Sequence, residues 1–294
     1  MSGRAERALA RLAELACPSV AIGAAAGGIA TSLADAVDVR LADPDELAPL
    51  IESAQSNPTA CLALVQLLRS SLSRSIYEGL LAESLVYSTL QSGPEFASWL
   101  ATRRPASPRE SLAPAVLVER EGSQLKLRLN RSEKHNAFSK AIRDGLVEAL
   151  RVVLSDNTIR EVELSGQGPS FCSGGDLDEF GSFPDPATAH AIRSTRNPVR
   201  LLAECAERVQ VRVHGACIGA GAELPAFTAR VEAAPDAFFA LPELRMGLVP
   251  GAGGTVSLPR RIGRQRCAWL ALSGQRIDSA TALEWGLVDS IRPD

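Results

Sequence analysis

Pro242-Glu243-Leu244-Arg245-Met246-Gly247-Leu248-Val249-Pro250-Gly251-Ala252-Gly253-Gly254-Thr255 sets four glycines behind a Pro-Glu pair. A phosphate-binding loop is the first reading of such a run. It fails here, because neither the lysine of a G-x-x-x-x-G-K-[ST] loop nor a G-x-G-x-x-G spacing after a strand is present. An apolar segment, Ala237-Phe238-Phe239-Ala240-Leu241, leads into the Pro-Glu pair instead. A carboxylate carried by such a segment into a site walled by small residues loses hydration, which raises its pKa toward that of a general acid near neutrality. Read alone, Glu243 is equally a solvated loop acid.

Two other turns share this build. Strand-like Val162-Glu163-Leu164 leads through a Gly/Pro loop into Phe171-Cys172-Ser173-Gly174-Gly175-Asp176-Leu177, and strand-like Val209–Val213 leads into His214-Gly215-Ala216-Cys217-Ile218-Gly219-Ala220-Gly221-Ala222-Glu223-Leu224. Small residues at a helix start leave backbone N–H groups facing outward, where they hold anions. A plain capped turn at Asp176 and an acid satisfying a helix dipole at Glu223 are the bland alternatives. His214 alone reads as a structural hydrogen-bonder.

The chain divides in two by pattern. Residues 1–102 read as a mainly helical N-terminal domain. Its helices lie over Arg4–Leu15, from Asp43-Pro44 onward, over Pro58–Leu72, over Ser75–Leu90 and around Glu95–Leu100, with short strands at Ser19–Ile22 and Val37–Leu41. Leu62, Val65, Leu68 and Leu72 fall on one apolar face; Tyr77, Leu80, Leu81 and Tyr87 fall on another. Residues 103–111, polar and Pro-rich, read as a linker. From 112 to 294 short strands alternate with helices, beginning with a hairpin about Gly122-Ser123 and a helix whose inner face is Ile142, Leu146, Leu150 and Val153. That is α/β architecture.

Composition excludes other classes. A net charge of −3 with mixed signs leaves no footprint for nucleic acid. The uncharged stretch Leu15–Ala34 is too weakly apolar to span a bilayer, and early charges interrupt any signal-peptide core. Six scattered cysteines without a C-x-x-C pair suit a reducing, cytoplasmic setting rather than disulfides or zinc, with Cys17 and Cys61 read as small buried hydrophobes.

Taken in order, F-x-S-G-G-D-L, H-G-x-x-x-G-A-G-x-E-L and F-x-L-P-E-x-x-x-G-L-V-P-G-A-G-G-T resemble the enoyl-CoA hydratase/isomerase (crotonase) superfamily. Leu129-Asn130-Arg131-Ser132-Glu133-Lys134-His135-Asn136-Ala137-Phe138 is similar to its opening CoA-binding stretch, and Leu272–Ile277 and Ala282–Val288 to later helices, so the likeness covers about 116–292. The resemblance implies an α/β fold built as a crotonase-type spiral of ββα units. It implies a lyase, an enoyl-CoA hydratase, in which the backbone N–H groups of Gly175 and Ala220 hold the thioester oxygen. Glu223 would help activate a water and Glu243 would exchange the proton at C2. CoA, part of the substrate rather than a separate cofactor, would lie along Lys134, His135 and Ala137 and near Gly174, Asp176 and Leu177. No metal is implied.

The chain departs from the family in its N-terminal extension and in stopping at Asp294, where relatives continue with helices that cover the acyl pocket and build a trimer. The expectation is that the helices between 58 and 100 supply that cover. The partners implied are an acyl-CoA and a homo-oligomer, trimer or hexamer, or a partner chain completing the C-terminal end; neither nucleic acid nor membrane is among them. Alternatives are an enoyl-CoA isomerase, a dioxygenase-like or carbon–carbon-cleaving relative, and a non-catalytic acyl-CoA-binding subunit.

Overall fold

The structure is a computed structural model describing residues 3–24, 27–103 and 113–292. Of the predicted linker, all but Arg103 lies outside the described residues. Helix α1 (Gly3–Ala13) is followed by β1 (Val20–Ile22), α2 (Gly28–Ala36) and β2 (Val39–Leu41), with β1 and β2 paired in parallel. Helices α3 (Leu47–Ser56), α4 (Pro58–Arg69), α5 (Ile76–Gln91) and α6 (Pro94–Ala101) come next. Local chemistry sets their ends. Ser75 and Glu78 form a reciprocal capping box at the start of α5, an arrangement worth about 1 kcal/mol. Glu95 reaches back from α6 to accept the Thr59 and Ala60 N–H groups at the start of α4, at 2.7 and 3.0 Å.

The rest is a mainly parallel α/β assembly. Strands β3 (Val116–Glu121) and β4 (Gln124–Leu129) form the predicted hairpin, and α7 (Lys140–Ser155) and β5 (Glu161–Gly166) follow. After α8 (Pro186–Thr195) and α9 (Pro198–Glu204), β6 (Val209–Val213) steps directly into β7 (Ala216–Ile218). A short helix α10 (Ala220–Glu223) leads to β8 (Arg230–Ala233), which steps into β9 (Phe238–Ala240). Helices α11 (Gly254–Ile262) and α12 (Arg264–Ser273), β10 (Ile277–Asp278), α13 (Ser279–Trp285) and β11 (Ser290–Ile291) complete it. The larger sheet runs β11-β8-β6-β5-β4-β3, and a smaller one runs β10-β9-β7. Twice, then, a strand of the large sheet continues into a strand of the small one and on into a helical turn. This repeated step is the spiral of ββα units, and it brings three loop ends to one place.

Burial follows the alternation of β4, whose Leu125, Leu127 and Leu129 face inward against Ile142, Leu146, Leu150 and Val153 of α7. The N-terminal helices share this core: Leu64, Val65 and Leu68 of α4 belong to one continuous apolar cluster with Leu258 of α11 and Leu270 of α12. A buried carboxylate fixes the junction. Asp38, beside β2, is clasped by Arg69 through two bonds of 3.0 and 2.7 Å and by Arg264 at 3.3 Å, and takes the Ser19 N–H and hydroxyl as well.

Two expectations about faces need correcting. Leu72 lies beyond the end of α4 and is exposed, as are Tyr77 and Leu81. The inward face of α5 keeps Leu80, as expected, but sets Glu83, Ser84 and Ser88 beside it, because polar partners on α8 and α11 await it. Cys17, expected inside, is exposed in the connection from α1 to β1, whereas Cys61 is fully buried. Among the described residues no helix is long and apolar enough to cross a membrane.

Candidate active site

A cavity of about 180 Å³ opens where the ends of β7 and β9 meet the loop before α11, and Gly175, Ala220, Glu223, Glu243, Gly251 and Ala252 all line it. Four residues singled out from sequence are thus brought together from three separate turns.

Gly175 and Ala220 supply two main-chain donors. Phe138 and Gly175 form a parallel bridge in which the Phe138 N–H bonds to Gly174 and the Asp176 N–H bonds to Phe138, leaving the Gly175 N–H without an acceptor. Ala220 opens α10, so its N–H has no intrahelical acceptor either. Among the described residues neither group has a partner. Two such donors at one cavity can hold an oxygen on which negative charge develops, an arrangement whose loss of one donor costs about 3 kcal/mol in other enzymes.

The two carboxylates are held differently. Glu223 is buried, and its Oε2 accepts the Ala252 and Gly254 N–H groups, each at 2.7 Å. Its Oε1 accepts no bond among the described residues. Glu243 opens the helical turn that follows β9, and its buried Oε2 has no hydrogen-bond partner. Gly219, at φ +50°, allows this placement, since a β-carbon there would collide with Glu243 Oε1. Burial raises the pKa of both carboxyls, and the charges of Glu243 and Glu83 raise that of Glu223 further. Protonated and ionised carboxyls can therefore coexist here near neutral pH, which suits acid–base work.

The residues expected along CoA lie on the loops leading to the cavity. Lys134 pairs with Asp178 and Asp176, His135 Nδ1 meets Ser170 Oγ at 3.0 Å, and the Ala137 carbonyl accepts from Arg131. Gly174 turns at φ +98°, and Leu177 is exposed. Asp176 is the member of this set on the cavity wall, buried in an ion pair with Arg131 at 2.8 Å. The structure does not gather the others into the cavity. Among the described residues no cluster of His, Cys, Asp or Glu is arranged to hold a metal.

Sequence reasoning missed Arg193, Glu83 and Trp99 as neighbours of the cavity, and it placed Tyr87 only on an apolar helix face. Tyr87 of α5 and Arg193 of α8 line the cavity, with the guanidinium 4.7 Å from the ring centroid. Glu83 of α5, also buried, accepts the Gly253 N–H at 2.7 Å, the Thr255 N–H at 2.9 Å and the Thr255 hydroxyl at 2.7 Å. From α6, Trp99 packs edge-on against Phe180 of the cavity wall at 5.6 Å between centroids. The polar stripe Glu83-Ser84-Tyr87-Ser88-Gln91, at helical spacing within α5, was the available signal.

A sequence model described as enoyl-CoA hydratase/isomerase matches residues 119–294. The 1,2-epoxyphenylacetyl-CoA isomerase of Escherichia coli (strain K12) is 37% identical over 183 residues, covering 61% of this chain and 70% of that protein. The 2,3-dehydroadipyl-CoA hydratase of the same organism is 32% identical over 179 residues, 60% of this chain and 69% of that one. Among solved structures, an enoyl-CoA hydratase from Thermoplasma volcanium GSS1 superposes with a TM-score of 0.57 at 32% identity, covering 62% of this chain and 73% of its own.

Proposed function

The chain belongs to the enoyl-CoA hydratase/isomerase family, and from that premise we propose that it is a lyase adding water across the 2,3-double bond of an acyl-CoA thioester. The observation that carries the reading is the convergence of two buried carboxylates and two unpartnered main-chain donors on one cavity. The thioester oxygen accepts the Gly175 and Ala220 N–H groups. A water lies between Glu223 and Glu243. As its oxygen bonds to C3, Glu223 takes a proton from it, and the π electrons move toward C1 to give an enolate held by the two donors. Protonated Glu243 then delivers its proton to C2. The sum is addition of H and OH, and proton exchange with water resets both carboxyls. Lys134, His135, Ala137, Gly174 and Leu177, on the approach to the cavity, border the CoA moiety in this reading.

An isomerase is the second reading, favoured by the 37% identical relative of that name and by Glu243, whose unpartnered oxygen could move a proton alone. Incubation with crotonyl-CoA, followed by loss of the conjugated enoyl absorbance, separates the two. Hydration by the wild type should fall by about 10²- to 10⁴-fold in Glu223→Gln and in Glu243→Gln, with acyl-CoA binding retained. Full activity in both variants refutes the mechanism. Binding without turnover by the wild type favours a non-catalytic acyl-CoA-binding chain.

A further inference from the structure

The hydration chemistry makes no use of Glu83, yet this residue lies against the segment that holds Glu223. Four successive amides are divided between two carboxylates: Ala252 and Gly254 donate to Glu223, and Gly253 and Thr255 donate to Glu83. The alternation follows from the backbone. Gly253 sits at φ +95° immediately before α11, and a left-handed residue beside a helix start turns successive N–H groups into an anion-holding concavity. The segment is held from both sides. Glu83 approaches it from 170 residues away in the chain, whereas an ordinary helix cap is a local Ser, Thr, Asp or Asn.

We infer that Glu83 is a positioning residue for Glu223, fixing the amide segment from the opposite side and tying the ionisation of Glu223 to its own. The inference rests on the reading of Glu223 as the acid–base group of the hydratase. Two buried carboxylates on one segment resist simultaneous ionisation, so the charge of Glu83 adds to burial in raising the Glu223 carboxyl. No ion pair neutralises Glu83 among the described residues: the nearby Arg193 donates instead to Ser84, Ser88 and Gln91. The titratable and charged groups facing Glu83 are Arg193 from α8, Tyr87 from its own helix, Glu223 from α10, Glu243 from the turn after β9 and Cys267 from α12. Burial raises the Glu83 carboxyl, opposed by its three donors and by Arg193.

The test is a side-chain carboxyl titration by NMR on protein carrying ¹³C-labelled glutamate, with Glu223 and Glu243 assigned through their Gln variants. In Glu83→Gln the Glu223 midpoint should fall by about one pH unit, the scale of a close charge in a buried site. The pH profile of turnover should move the same way, with KM within about twofold while kcat falls roughly tenfold or more, as for lost acid–base matching. Glu83→Asp, which keeps the charge, should bring the midpoint back toward wild type. If Glu83→Gln does not fold, Thr255→Val serves: losing one donor raises the Glu83 midpoint, and the Glu223 midpoint should again fall. An unmoved Glu223 midpoint in the folded variant overturns the inference and leaves Glu83 a structural cap. Because the titration needs no turnover, a coupled pair in a chain that hydrates nothing refutes the hydratase reading alone, and a hydratase with an uncoupled pair refutes this inference alone.

Discussion

The ring of Tyr87 occupies the space that a β-carbon on Gly251 would need. Tyr87 belongs to the N-terminal helices and Gly251 to the loop that feeds α11, so their contact joins the two parts at the cavity wall. Gly251→Ala should therefore cost about 1–3 kcal/mol, the usual penalty of overpacking, and lower turnover by shifting the neighbouring amides from Glu223. Chemical denaturation and kinetics check both. The double variant Gly251→Ala/Tyr87→Ala should recover part of the loss, since the clash requires both groups.

Stability should depend on pH with a definite sign. Glu83, Glu223 and Glu243 all have folded-state pKa values above their unfolded ones, each chiefly through burial. The folded chain thus binds more protons, and these groups contribute stability that is complete below an unfolded pKa of about 4.3 and is lost as pH rises through the folded values. The slope approaches about 1.4 kcal/mol per pH unit for each such group. Thermal unfolding should show a declining Tm from about pH 5 to pH 8. Glu223→Gln should flatten the decline and raise Tm at pH 8, because one amide oxygen can accept both N–H groups that now bond to Oε2.

Gly219→Ala places a methyl group against Glu243 Oε1 at a residue with φ +50°. With ψ at −118° the backbone lies outside the wells an alanine favours, at a cost of about 1–3 kcal/mol, and the displaced carboxylate is the proposed proton donor to C2. Turnover should drop far more than acyl-CoA binding does. Steady-state kinetics with parallel calorimetric binding would detect the split, and an equal loss in both would assign Gly219 to binding instead.

Arg193 joins α8 to α5 through Ser84, Ser88 and Gln91 while its guanidinium lies over Tyr87. Arg193→Ala leaves these partners without their donor and should cost about 1–3 kcal/mol. Hydrogen exchange should quicken first in α5. Unchanged protection there would show that α11, rather than α8, secures that helix.

Much of the site was legible because its chemistry sits on local turns. Glu223, Gly175 and Ala220 lie in turns of small residues and Glu243 follows an apolar strand and Pro242; the family resemblance supplied their roles, and the structure brings all four to one cavity. The Gly-rich stretch 251–255 lacks the motif of a phosphate cradle. Its amides at Ala252, Gly253, Gly254 and Thr255 do hold carboxylates, those of Glu223 and Glu83. The polar stripe of α5 marks Glu83 as unusual, but local pattern could not reveal which amides it holds, because that depends on packing between segments far apart in the chain. The same limit explains the misplaced apolar faces. Period alone grouped Tyr77 with Leu80, whereas α5 turns its polar stripe inward to meet Thr255 and Arg193.

The most direct measurement is the reaction of crotonyl-CoA in ¹⁸O-labelled water, read by mass spectrometry and NMR of the product. The account predicts a saturated thioester with ¹⁸O on C3 and a solvent proton on C2, formed by the wild type and lost in Glu223→Gln and Glu243→Gln. A product without ¹⁸O and with its double bond moved, or unchanged thioester recovered after prolonged incubation, would contradict it.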